Sequence, residues 1–253
     1  MSCAFYLDNI LSFSILNLTF LIALKRLALL QSNYIPWKGY FDIINSVDEF
    51  VIYDEAQYTR RDWRNRNLIK TKNGLLWLTI PVEVKGRFTQ KICETKIADK
   101  TWAEKHFKSI RHNYSSAPFF PVYSGVIKEA YIKCKEIMYL SEINRLFIEV
   151  INSILGVKTQ ITNSADYHYS GNQNEKIVEI CKLAGADKYV TGKAARTYLD
   201  TELFSETGIE IIWVDYSGYP EYEQIYPPYE HKVSIIDLIF NKGEESTRFM
   251  KSF

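Results

Sequence analysis

A ten-residue stretch from Tyr58 to Asn67 concentrates side chains that bind anions. Its sequence, YTRRDWRNRN, contains four arginines, two aromatic residues and two asparagines. Guanidinium groups form forked hydrogen bonds to phosphate or carboxylate, and the faces of Tyr58 and Trp63 can stack on a base, a sugar or a guanidinium. The alternative is a solvated loop whose arginines pair with nearby carboxylates. The density of arginine and amide groups favours the anion site.

The elements before this loop predict the start of an α/β fold. The apolar run 27–30 predicts a short buried strand, and Pro36 separates it from a helix whose apolar residues recur with helical spacing. Residues 50–53 are β-branched or aromatic and predict a second strand. This order is typical of a Rossmann-like, nucleotide-binding opening unit, whose functional loops follow the strands. We therefore expect functional loops at 31–36 and 54–66.

The rest of the chain alternates helices and strands. An Asn73-Gly74 turn between apolar runs predicts a hairpin, and residues 91–97 predict a further strand. Residues 102–113 and 126–155 predict helices that form a helical segment in the middle of the chain. We therefore expect an α/β protein with a mixed sheet.

Two further groups of residues could contribute to a site. Gly192 and Lys193 lie between a predicted strand and a predicted helix, where backbone N–H groups bind anions well. The alternative there is a simple turn with exposed cations. His231 follows an aromatic, Pro-rich stretch and could act as a general base, although a lone histidine more often satisfies a local hydrogen bond.

Composition restricts the class of protein. A net charge of +1 gives no overall field for nucleic acid, so the arginine loop is a local feature. The four cysteines are widely spaced and form no CxxC pair, which favours reduced thiols over a disulfide framework or a zinc site. The four histidines also lack metal-ligand spacing, and HEXXH, P-loop and GxGxxG motifs are absent. We expect no metal and a cytoplasmic location.

The N-terminal residues 1–26 form an apolar extension to a predicted single domain at 27–253. The apolar run 10–24 is shorter than the ~20 residues of a spanning helix, and its positive charges follow it, unlike those of a signal peptide. Three interpretations remain: a membrane-associated helix, an additional packed helix, or an extension from an early start codon. We favour the last and expect no stable membrane insertion.

Long parts of the chain together resemble the WbqC-like family. The similar segments are NYIPWKGYFDIINSVDEFVIYDEAQYTRRDWRNRN, NGLLWLTIPV, LSEINRLFIEVINSILGVKTQI, GADKYVTGKAARTYLD, IIWVDYSGYPEY and HKVSIIDLIFNKG. They occur in the expected order over about residues 27–243. The family usually has Gln-Pro at Gln31-Ser32 and Asp-Asp at Asp54-Glu55. The resemblance implies a role in bacterial O-antigen or other lipopolysaccharide biosynthesis, with transfer of glycine or another acyl group to a sugar.

These observations together predict a transferase that acts on a nucleotide-linked sugar. The sequence leaves the cofactor open between ATP and an activated acyl donor. The alternative is a non-catalytic protein that binds a nucleotide sugar or assembles the polysaccharide machinery. Amine acylation needs a base and oxyanion donors, and Asp54 and His231 are the candidate catalytic residues. The candidate substrate-binding residues are Gln31, Asn33, Tyr34, Trp37, Gln57, Tyr58, Arg61, Trp63, Arg64, Arg66, Asn67, Gly192 and Lys193.

Overall fold

Residues 24–253 are described by the computed structural model, which contains seven strands and seven α-helices in this part of the chain. In chain order the elements are β1 (Arg26–Leu30), α1 (Lys38–Asn45), β2 (Glu49–Ile52), β3 (Arg66–Thr71), β4 (Gly74–Thr79), α2 (Trp102–Tyr114), α3 (Phe120–Lys133), α4 (Leu140–Leu155), β5 (Gln160–Asn163), α5 (Gln173–Leu183), β6 (Lys188–Gly192), α6 (Thr201–Glu206), β7 (Glu210–Val214) and α7 (Ile235–Lys242). The predicted N-terminal extension lies almost entirely outside the described residues.

The central sheet has five strands in the order β5-β2-β1-β6-β7, and every neighbouring pair is parallel. The chain therefore leaves β1 towards β2 and β5, and later crosses to β6 and β7 on the other side. The predicted mixed sheet is wrong in this respect. The antiparallel strands β3 and β4 form a separate two-stranded sheet, because a short turn can only join antiparallel neighbours.

Side chains of the short central strand β1 alternate between two hydrophobic layers. Leu27 and Leu29 pack in one layer with Ile177 of α5. Ala28 points to the other, which contains α1 and α4. This alternation follows from the two-residue period of a strand, and burial on both faces explains why β1 reads as a continuous apolar run.

The predicted hairpin and the central helical segment are confirmed. Leu68 pairs with Trp77 across the hairpin, and α2, α3 and α4 occupy the predicted helical region. The predicted strand at 91–97 is wrong. That segment contains a 3₁₀ turn at Ile92–Glu94 and makes only single bridges, with Gln57 at Lys91 for example. Its β-branched residues pack locally and do not form continuous hydrogen bonding with a neighbouring strand.

The start of β1 lies at Arg26, one residue before the predicted domain start. Lys25 is also part of the fold, because its backbone oxygen accepts hydrogen bonds from the amides of Asp187 and Lys188. Among residues 24–253, no helix combines the length and apolar character needed to cross a membrane.

Candidate functional site

The carboxyl ends of the parallel strands define one edge of the sheet, and the predicted functional loops lie there. The strand order reverses direction between β1 and β6, since the chain runs to one side of β1 first and to the other later. The loops that follow the two strands at such a switch point run to opposite sides of the sheet, and a crevice forms between them. The loop after β1 and the loop after β2 both approach this crevice.

A cavity of about 610 Å³ occupies this position and is called here the central cavity. Its polar lining includes Gln31, Asn33, Gln57, Arg64, Gln173, Lys176 and Thr191. The aromatic residues Tyr53, Trp63, Tyr189 and Tyr198 complete much of the wall. The two cations and the amide groups can bind the phosphates of a ligand, and the aromatic rings can stack on its base or sugar.

Arg64 is the cation of the arginine loop that reaches the central cavity. Its guanidinium donates to Asn33 Oδ1 and lies 3.8 Å from an Asp62 oxygen. The backbone oxygen of Arg64 accepts a hydrogen bond of 2.9 Å from Asn144, which fixes the loop. Within residues 24–253, the buried Arg64 Nε has no hydrogen-bond partner. A half-buried guanidinium with an unused donor is suited to an anionic ligand.

Lys176 supplies the second cation from the first turn of α5. This helix begins after Asn172, whose side chain accepts hydrogen bonds of 2.9 and 3.1 Å from the amides of Asn174 and Glu175. In the described part of the chain, Lys176 forms no ion pair. The positive end of the α5 dipole lies at the same place, so Lys176 and the helix both favour a negative ligand.

A second cavity of about 440 Å³, called here the aromatic cavity, adjoins the first. Asn33 and Trp63 line both, so the two spaces share a wall. Trp37, Tyr216 and His231 form much of the remainder. This lining is mostly apolar and would accommodate a sugar or an acyl group rather than a phosphate.

His231 lies among aromatic rings in the aromatic cavity. Its ring centre is 5.1 Å from that of Trp37 and 5.3 Å from that of Tyr219. Burial, together with the nearby cation of Lys38, lowers the pKa of His231. The imidazole is therefore neutral at pH 7 and can accept a proton.

Asp54 lies beneath the cavities rather than in them. It is 4% exposed, and its carboxylate accepts bonds from the Ser32 amide at 2.8 Å, the Ser32 hydroxyl at 2.6 Å and the Ser141 hydroxyl at 2.5 Å. Burial raises the pKa of the Asp54 carboxyl, although these hydrogen bonds oppose the change. Asp54 therefore joins the loop after β1 to the start of α4.

Three of the predicted substrate contacts are buried structural residues. Tyr34 is fully buried, and its hydroxyl lies 2.9 Å from His106 Nδ1. Tyr58 is 6% exposed and belongs to the same core. Asn67 borders the aromatic cavity, but its amide donates to the backbone oxygens of Tyr34 and Ile35 at 3.0 and 2.9 Å. Its main contact is with the loop after β1.

Four other predicted residues do not line either cavity. Arg61 is exposed, with a positive φ of 56°, and the Arg66 guanidinium lies 4.1 Å from the Trp77 ring centre. Lys193 forms an ion pair of 2.9 Å with Asp215. A Cβ added at Gly192 would lie 3.2 Å from the Tyr216 ring, so the backbone there approaches protein rather than an open site. Lys193 is thus engaged with Asp215 in the structure, and the anion site at Gly192 stays a prediction.

The structure thus brings together Gln31, Asn33, Gln57, Trp63 and Arg64, with Trp37 and His231 in the adjoining space. Sequence reasoning missed Gln173, Lys176 and Thr191. The cap at Asn172 marks a helix start and was the available signal, but the sheet order is needed to bring α5 to this edge. Within residues 24–253, no group of three or more His, Cys, Asp or Glu side chains is arranged to hold a metal ion.

Comparison with known proteins identifies the class. The profile of the WbqC-like protein family matches residues 31–249, and the chain belongs to this family. A relative from Mycobacterium tuberculosis (strain ATCC 25618 / H37Rv), named uncharacterized protein Rv1507c, is 46% identical over 228 residues. That match covers 90% of this chain and 98% of the relative. No solved structure matches the chain significantly.

Proposed function

We propose that this chain binds a nucleotide-linked sugar at the central cavity and acts as a transferase in bacterial O-antigen biosynthesis. The observation that carries the proposal is the pairing of Arg64 and Lys176 in one cavity that opens beside an aromatic one. The cations fit a diphosphate, and the aromatic cavity fits a sugar or acyl group. The WbqC-like resemblance suggests the polysaccharide context.

The strand order supports a Rossmann-like interpretation of the opening unit. β1 lies at the centre, with β2 and β5 on one side and β6 and β7 on the other. Dinucleotide-binding folds place their ligand at the same switch point, beside the central strand. The central cavity has this position, so a nucleotide is the ligand class that we propose.

In the proposed reaction, an amino group of the sugar attacks the carbonyl carbon of an activated acyl donor such as an acyl phosphate. A carbon–nitrogen bond forms, and the leaving group departs with the electron pair of the bond that breaks. The neutral His231 imidazole accepts the amine proton, since it lines the aromatic cavity and its pKa is lowered. We assign Asp54 a positioning role, because its oxygens are engaged by Ser32 and Ser141.

Binding is tested by thermal shift with inorganic diphosphate, UDP, UDP-N-acetylglucosamine and ATP, since a ligand of the native state raises the midpoint. We expect a rise with at least one diphosphate compound. Arg64→Ala and Lys176→Ala should each weaken that binding about tenfold or more, because a hydrogen bond to a charged group contributes about 1.5–3 kcal/mol. Lys182→Ala, at an exposed position of the same helix, is the matched control. No response to any phosphate compound would contradict the proposal.

A non-catalytic binding role is the second candidate, and one observation favours it. Of the two predicted catalytic residues, Asp54 is sealed below the surface and only His231 lines a cavity. Incubation of the chain with a bound nucleotide sugar and an acyl donor separates the two roles. Mass spectrometry would detect an acylated sugar if the chain is a transferase, and unchanged sugar if it only binds. A His231→Gln variant should bind normally but lose product formation.

A further inference from the structure

One segment of the surface is both basic and apolar. Residues 57–91 contain nine Lys and Arg residues but two Asp and Glu residues, whereas the net charge of the whole chain is only +1. Five of the thirteen exposed large apolar residues among 24–253 lie in this segment: Trp63, Leu75, Leu76, Trp77 and Phe88. We call these five side chains and the exposed cations around them the hairpin surface.

Three of the five apolar side chains, those of Trp63, Leu75 and Trp77, lie together on one face of the hairpin, and Leu76 leaves its other face. The Trp63 and Trp77 ring centres are 5.3 Å apart. Leu75 lies two residues from Trp77 in β4, so both side chains leave the same face of the strand. The Arg60 guanidinium lies 5.3 Å from the Phe88 ring centre and donates to the Val84 backbone oxygen at 2.8 Å. The arginine loop therefore connects the hairpin with Phe88.

Exposure of these residues is unfavourable in water. Phe88 is 71% exposed, Leu75 46% and Trp77 40%. A strand that exposes leucine and tryptophan in succession is normally covered, because contact of apolar surface with water is unfavourable. The flanking cations are also exposed, at Arg60, Arg61, Lys72, Lys85, Arg87 and Lys91.

We propose that the hairpin surface docks on an anionic membrane surface. The exposed cations complement lipid phosphates, because Lys and Arg side chains close to an anionic membrane surface are attracted to it. Leucine, phenylalanine and tryptophan side chains enter the boundary between head groups and acyl chains, where arginine beside an aromatic ring is also accommodated. Association of this kind requires no spanning helix.

Charge argues against the other occupants. A symmetric dimer would place the same strongly positive segment against itself and so be opposed by repulsion. A nucleic acid would use the cations and rings, but it offers no apolar environment for Leu75. Docking on a lipid surface would engage both the positive charge and the exposed apolar side chains. It would also place Trp63, which lines both cavities, next to the membrane.

Vesicle sedimentation with the full chain tests this proposal. We expect binding to phosphatidylcholine vesicles that contain about 30% phosphatidylglycerol and little binding to phosphatidylcholine alone. Salt at about 0.5 M should reduce binding, because it screens the charges. Phe88→Ser with Leu75→Ser should weaken binding at least tenfold, and so should Lys72→Glu with Lys85→Glu.

The matched controls lie on α3, where Val122 is 65% exposed. Val122→Ser and Lys133→Glu should leave vesicle binding unchanged. Absence of binding to anionic vesicles, or equal losses in the controls, would overturn the proposal. So would vesicle binding that is unaffected by the apolar substitutions but competed by double-stranded DNA, since that result describes a general polyanion surface. Phe88 and Leu75 line neither cavity, so failure here leaves the nucleotide-sugar proposal intact.

Discussion

At the scale of single residues, the buried carboxylate of Asp54 has the clearest consequence. We predict that Asp54→Asn lowers the free energy of unfolding by about 1–3 kcal/mol, because an amide nitrogen would face the hydroxyl donors that the carboxylate now accepts. Urea denaturation measures the change. Combined with Ser141→Ala, the loss should be smaller than the sum of the two single losses, since the residues share a hydrogen bond.

The opposite result is equally informative for Asp54. The sequence alone predicted Asp54 to be a general base, which requires lost turnover with unchanged stability. A variant with a normal denaturation midpoint and no product would restore that role. It would also require an opening motion, since the carboxylate is 4% exposed in the structure.

A second residue-scale prediction concerns His106 and pH. Burial lowers the pKa of His106 to about 4, although a hydrogen bond to the Thr79 backbone oxygen opposes the change. The usual value of about 6.5 holds in the unfolded chain, so the unfolded state binds more protons between these two values. Stability contributed by the neutral imidazole is therefore present above about pH 6.5 and lost as the pH falls towards 4, by up to about 3 kcal/mol.

The variant His106→Gln isolates this contribution. Glutamine keeps one donor and one acceptor for Thr79 and Tyr34 but does not titrate in this range. The free energy of unfolding of the variant should therefore depend less steeply on pH between 6.5 and 4. Urea denaturation at several pH values measures both slopes, and equal slopes would show that His106 titrates normally in the fold.

At the scale of elements, the start of α5 links stability to the site. We predict that Asn172→Ala lowers the free energy of unfolding by about 1 kcal/mol, because two amide donors lose their acceptor. Ligand affinity should fall as well, since Gln173 and Lys176 lie in the loosened first turn. Thr159→Val is the matched control, because it removes hydrogen bonds to the backbone oxygens of Ile44 in α1 and of Val47, away from α5. Equal affinity losses would contradict the local role of α5.

The elements also explain which parts of the fold and of the candidate site could be predicted from the sequence. The hairpin was predictable because Asn73-Gly74 is a local signal, and β1 and β2 were predictable because their residues are buried on both faces. The strand at 91–97 failed because apolar residues in a packed loop resemble a strand. Lys176 and Thr191 joined the site through the sheet order, which depends on contacts between distant segments and leaves no local pattern. Trp63 and Arg64 were found because their residue types carry the chemistry.

At the scale of the whole molecule, the positive charge of the arginine loop is divided between the central cavity and the hairpin surface. The arginine loop contributes Arg64 to the central cavity and Arg60 to the hairpin surface. The four arginines therefore lie at different sites, whereas the sequence analysis predicted a single anion site. The remaining chain carries a net negative charge, because the segment 57–91 exceeds the total of +1. If the hairpin surface docks on a membrane as proposed, this charge asymmetry favours an orientation with the segment 57–91 towards the anionic surface.

The last prediction concerns the N-terminal boundary of the fold. Lys25 forms an ion pair of 2.8 Å with Glu49, which is 2% exposed, and donates to the Ala184 backbone oxygen at 2.7 Å. Burial alone raises the pKa of Glu49, but hydrogen bonds from Lys25, Thr162 and Tyr167 bring it below its usual value.

We predict that a chain of residues 24–253 unfolds cooperatively, whereas 26–253 is about 1–3 kcal/mol less stable because a buried carboxylate loses its partner. Lys25→Met in the full chain should reproduce that loss. In both altered chains the difference should shrink as the pH falls through the pKa of Glu49, because the protonated carboxyl no longer needs the cation. Urea denaturation of all four proteins measures these differences, and a chain of 24–253 without a cooperative transition would mean that residues 1–23 belong to the core.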